Sequence, residues 1–202
     1  ILEAATALNT GANGGDITVT GSVDSDAGNS WALDLTAGTG NIDLQSAVGA
    51  TDALASLTVN SATTARFGGD VTTDGVQAVT AGTIQTNGTH ATTDSAISLT
   101  GDVILEAATA LNTGANGGDI TVTGSVDSDA GNSWALDLTA GTGNIDLQSA
   151  VGATDALASL TVNSATTARF GGDVTTDGTQ DVTAGTIQTN GTHATTDSAI
   201  SL

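Results

Sequence analysis

The chain has 202 residues and a formal charge of −20, from 22 carboxylates against two Arg and no Lys. That balance excludes nucleic-acid binding, which needs a basic footprint, and opposes binding to an anionic membrane. Pro, Cys and Met are absent, the aromatics are Trp31, Phe67, Trp134 and Phe170, and no apolar run approaches the ~20 residues of a membrane span, so the core has to be thin, free of disulfides and built from many small contributions.

The first strand-like stretch, Ile17-Thr-Val-Thr-Gly-Ser-Val23, sets a pattern. It returns as Ile42-Asp-Leu-Gln-Ser-Ala-Val48, Ala65-Arg-Phe-Gly-Gly-Asp-Val71 and Ile97-Ser-Leu-Thr-Gly-Asp-Val103, and unaltered as Ile120–Val126. The closing valines Val23, Val48, Val71, Val103 and Val126 are spaced 25, 23, 32 and 23 residues apart. A larger repeat encloses them: residues 1–99 match 104–202 except at Val76/Thr179 and Ala78/Asp181. Second strand-like runs follow each heptapeptide, as in Leu33/Leu35 and Leu57/Val59, and Gly-, Asn- and Asp-rich breaks separate them, as turns require.

Units of this size, each too small to bury its own apolar edge, predict an all-β fold: a parallel β-helix, or β-solenoid, with about four coils per 103-residue repeat. One repeat then advances about 19 Å at the spacing of hydrogen-bonded strands. Residues 1–103 form the first repeat and 104–202 the second, incomplete at its end, in one continuous shaft. A chain that opens on Ile and stops within a repeat predicts an excerpt of a longer array. The competing fold, a pair of immunoglobulin-like sandwiches, suits a period near ~100 residues but not the shorter subrepeat.

A narrow prism predicts stacked Val, Ile, Leu and Ala inside, little room for bulky aromatics, and Trp31 at a corner or the surface. The two differences between copies bear on orientation. Residues 76 and 78 share a strand parity, and an Asp in a dry core is costly, so that parity points outward and Val79 inward. Gln77 then also points inward, at a wet corner or in a hydrogen-bonded ladder. The 32-residue step adds Thr80–Asp94, which is either a third strand around Thr83–Thr86 or a loop bearing His90; insertions in solenoids are common binding loops.

Chemistry-bearing motifs are sparse. No phosphate loop, HExxH or zinc pattern occurs, and His90 and His193 have no adjacent nucleophile. No catalytic, cofactor-binding or metal-ligating residue is assigned, and the chain is expected not to be an enzyme. Calcium is the one ion considered. Gly11–Val19 faintly resembles a calcium nonapeptide, with the spacing off by a residue, and Asp24-Ser-Asp26-Ala-Gly-Asn29 offers close oxygens, without the spacing of an EF-hand; solvated acidic turns are the simpler expectation. Thr18 and Thr20 begin no continuous threonine rank for an ice-binding face. Asn87-Gly-Thr89 and Asn190-Gly-Thr192 match a glycosylation sequon.

Three strings, Ala32-Leu-Asp-Leu-Thr-Ala-Gly-Thr-Gly-Asn-Ile-Asp-Leu44, Leu57-Thr-Val-Asn-Ser-Ala62 and Phe67-Gly-Gly-Asp-Val-Thr-Thr-Asp-Gly75, resemble repeats of filamentous-haemagglutinin-type adhesins and related giant bacterial surface proteins. The resemblance covers most of each repeat. It implies a right-handed parallel β-helix shaft exported to the bacterial cell surface, supporting adhesion or cell–cell contact. The expected role is therefore a structural segment of a secreted adhesin or extracellular filament. Its partners would be neighbouring repeats, other copies in a fibre, or cell-surface glycans. The alternatives are a multivalent glycan- or calcium-binding module and, more remotely, an ice-binding or polysaccharide-active protein.

Overall fold

The computed structural model describes all 202 residues and contains twenty β-strands and no helix. Neighbouring strands pair in parallel throughout, with sequence steps of 19 to 27 residues, so the chain winds as a β-solenoid. The pairing builds three inward columns, one for each face of the coil. The first runs Ile17, Ile42, Ala65, Ile84, Val103, Val126, Val151, Val174, His193, one residue from each of nine coils. The second runs Val23, Val48, Val71, His90, Leu111, Leu138, Val162, Val182. The third runs Thr6, Leu33, Leu57, Gln77, Ile97, Ile120, Ile145, Ala168, Ile187. Inward residues at every second position come from the pleat, which sends alternate side chains to opposite faces.

Forty buried apolar residues form a single cluster, so no boundary divides the core. The strand Ile97–Asn112 crosses the junction of the two sequence repeats without a break. Strands alone do not hold the stack. Corner amides bond between coils as well, as in Val48 N to Asp70 O and Thr72 N to Val48 O, both 2.8 Å. Gly49 shows how closely corners approach: its φ is +69°, and a Cβ there would lie 2.1 Å from Thr72 O.

The columns correct the coil count within a repeat. Val71 stacks under His90 rather than under Val103, and Val103 stacks on Ile84. The 32-residue step is therefore not one oversized coil. It carries five faces, around Gln77, Ile84, His90, Ile97 and Val103. A full repeat spans fourteen faces, or four and two-thirds coils, and advances about 22 Å. Because fourteen is not a multiple of three, the second copy is turned by one face. Ile17 lies on the first column and its sequence twin Ile120 on the third. The heptapeptide could not reveal this, since a strand, corner and strand look alike at any corner of the prism.

Gln77 and Val79 are buried and Val76 is exposed, while Thr179 and Asp181 face solvent, as parity requires. Trp31 is half-buried at a corner, its indole N–H donating to Asp26 Oδ1. Phe67 and Phe170, by contrast, are the largest fully buried side chains, against the expectation of an interior with little room for bulky aromatics. Each sits two residues after a core alanine, Ala65 or Ala168, and Phe67 stacks between Leu44 and Thr86. Small neighbours leave the volume that the ring fills.

Candidate functional site

The most chemically distinctive place in the molecule is inside it. His90 lies in the second column where other coils carry Val or Leu, and is fully buried with Gln77, Thr73 and Thr86. The strand Gln77–Thr92 positions three of these four, so the third-strand expectation for Thr83–Thr86 holds and the loop bearing His90 does not exist. The reason is burial: Ile84, Thr86 and His90 share one inward parity, Ile84 and His90 each filling a column and Thr86 stacking on Phe67.

Hydrogen bonding sets the protonation state. Gln77 Nε2 donates to Ala91 O (2.8 Å) and Val71 O (3.2 Å), which turns Oε1 toward the imidazole. His90 Nδ1 lies 3.0 Å from that oxygen, an obligate acceptor, so Nδ1 carries the proton. Nε2 then accepts from Thr86 Oγ1 at 2.7 Å. The Phe67 ring packs edge-on to the imidazole at 5.2 Å between centroids. Burial lowers the His90 pKa to about 4, partly opposed by the negative charge of Asp70. A neutral, sealed imidazole cannot exchange protons with a substrate.

The second copy repeats this network incompletely. His193 Nδ1 meets Gln180 Oε1 at 2.8 Å and the ring packs on Phe170, but Nε2 has no partner. Its pKa is lowered by burial as well. The coil holding His193 is the last on its column, and Thr189, the twin of Thr86, is exposed.

Carboxylates on the surface also have local partners. Asp16, Asp70, Asp94, Asp102, Asp119 and Asp173 each accept a backbone N–H from the following coil: Asn41, Thr89, Asn116, Ser125, Asn144 and Thr192, at 2.6 to 3.1 Å. Asp24 caps Thr51 N in the same way, at 2.9 Å. Asp26 holds Asn29 as well as Trp31. The turns considered for calcium are thus stitches between coils, and no group of three or more His, Asp or Glu is placed to hold a metal ion. Arg66 spans four coils, meeting Asp43 one coil back at 3.4 Å and Glu106 two coils on at 2.8 Å, while Arg169 reaches only Asp146, at 2.7 Å.

The outward row of the first face reads Thr18, Asp43, Arg66, Gln85, Ile104, Asp127, so no threonine rank forms. Of the sequon residues, Asn87 is half-buried on its strand and Asn190 is exposed, donating to Gly171 O. Parity signalled the inward Gln77. Nothing in the sequence paired it with His90, thirteen residues on, or Arg66 with Glu106, forty residues on. No family model, curated protein or solved structure matches the chain. The fold defines its class: a repetitive β-solenoid.

Proposed function

We propose that the chain is a structural shaft segment of a secreted bacterial surface adhesin or extracellular filament, working by stiffness and length rather than by catalysis. One observation carries this reading: three inward columns run through the coils, and the polar groups that could converge on a ligand are instead spent on the next coil. Parallel ladders resist bending, stacked apolar columns hold the prism shut, and acidic corners keep shafts apart by repulsion. The resemblance to haemagglutinin-type repeats supports a place at the bacterial cell surface.

Chains of one, two and four repeats, measured by small-angle scattering, test the reading. The maximum dimension should grow by about 22 Å per added repeat. Growth as the cube root of mass would overturn it. Calorimetry with Ca²⁺ and a glycan array should stay silent; saturable binding in either would replace the shaft by a multivalent binding module.

A further inference from the structure

We propose that the turn at Asn116-Gly117 is a site of spontaneous deamidation, through which the chain gains negative charge and loses a stitch between two coils. Four Asn-Gly pairs occur: Asn13-Gly14, Asn87-Gly88, Asn116-Gly117 and Asn190-Gly191. Asparagine is a thermolabile residue. A following glycine, with no Cβ, leaves its amide nitrogen unshielded and lets the backbone turn toward the asparagine side chain. Asn13 and Asn190 lie in the outermost coils, so Asn87 and Asn116, each with coils on both sides, give the comparison.

The fold separates these two. Asn87 is half-buried within the strand Gln77–Thr92, and its neighbours Thr86 and Gly88 pair with Leu105 and Thr109 of the next coil. Asn116 is exposed in the turn between the strands Ile97–Asn112 and Ile120–Val122. Gly117 is buried, yet its N–H has no hydrogen-bond partner, so no backbone bond has to break before that nitrogen reacts. Stacking itself demands both residues of the labile pair. A Cβ at Gly117 would run into the hydroxyl and carbonyl of Thr113. Asn116 in turn stitches its corner to the coil below, donating from its backbone N to Asp94 Oδ1 at 3.1 Å and from Nδ2 to Asp94 Oδ2 at 3.4 Å.

In the reaction Gly117 N gives its proton to hydroxide and attacks Asn116 Cγ. The N–Cγ bond forms, the Cγ–Nδ2 bond breaks, and ammonia leaves with a proton taken from water. Water then opens the cyclic imide. Cleavage at Cγ returns an ordinary aspartate; cleavage at the backbone carbonyl carbon gives isoaspartate, whose main chain runs through the former side chain and is one methylene longer. The balance is one water consumed and one ammonia released, with no oxidant or reductant. Either product sets a carboxylate against Asp94, where an amide donated before, and like charges at that distance repel. Isoaspartate also lengthens a corner, and corner length sets the register between coils. The site stands apart from the shaft reading and does not depend on it.

Ageing of the 202-residue chain at body temperature in mildly alkaline buffer tests the site, with peptide mapping and enzymatic methylation of isoaspartate as readouts. Asn116 should convert on the order of tenfold faster than Asn87, because a strand has to open before its asparagine can react. In urea the two should convert at comparable rates, which shows that both dipeptides are reactive once unfolded. Asn116→Asp supplies the charge without the reaction; Asn116 is exposed, so this variant folds, and its residue 116 amide should exchange hydrogen about threefold faster. Equal rates at Asn87 and Asn116 in the folded chain, or an Asn116 that stays intact while the urea-treated chain reacts, would overturn the site. Unchanged exchange in Asn116→Asp would overturn the lost stitch. None of these outcomes touches the growth of length with repeat number.

Discussion

Acid should loosen this solenoid at one identifiable point. His90 is neutral in the fold, with a pKa near 4, against the ordinary value of 6.5 in an unfolded chain. The unfolded chain therefore binds the proton more readily between those values. The stability contributed by the neutral imidazole is full above pH 6.5 and drains as pH falls toward 4. At about 1.4 kcal/mol per pK unit, the loss is about 2 kcal/mol at pH 5 and about 3 kcal/mol once both states are protonated. Urea unfolding followed by circular dichroism, at steps from pH 7 to pH 4, gives the slope. His90→Leu supplies the control, because Leu111 and Leu138 already occupy the same column. It should cost about 1–3 kcal/mol at pH 7, through the unpaired Gln77 Oε1 and Thr86 hydroxyl, yet lose the extra acid slope. Adding Gln77→Leu should recover part of the neutral-pH loss by removing the orphaned amide. Equal slopes for wild type and His90→Leu between pH 6.5 and 4 would refute the reasoning.

Gly49→Ala should destabilise the chain by about 2 kcal/mol or more, since a Cβ would meet Thr72 O at 2.1 Å on a left-handed backbone; thermal melting reads it, and a neutral result would mean that the corner can open. Phe67→Ala should cost about 3–5 kcal/mol as a core cavity, and Trp31→Ala clearly less, because the indole is only half-buried. Asp70→Ala should cost on the order of 1 kcal/mol through the lost cap on Thr89 N, and hydrogen exchange should report faster opening at that amide. Arg66→Ala should change the melting point little, as exposed ion pairs are worth about 0–1 kcal/mol, although these pairs span four coils.

Composition and spacing by themselves determined a great deal. A repeated apolar–x–apolar pattern, interrupted every few residues by Gly, Asn and Asp, has few ways to bury its edges other than stacking coil on coil, and the chain folds as that solenoid. Two changed residues, Val76/Thr179 and Ala78/Asp181, were enough to orient a strand, because only the solvent side accepts a new charge cheaply. What the sequence left open was everything set by register between coils. The heptapeptide is blind to which corner it occupies, so the count of four coils became four and two-thirds only when Val71 was seen under His90 and Val103 on Ile84. The same holds for the sealed Gln77–His90–Thr86 network, the buried Phe67 and the carboxylates that cap the next coil. Their partners lie from four to twenty-seven residues away, and a contact between neighbouring coils depends on the length of every turn between them.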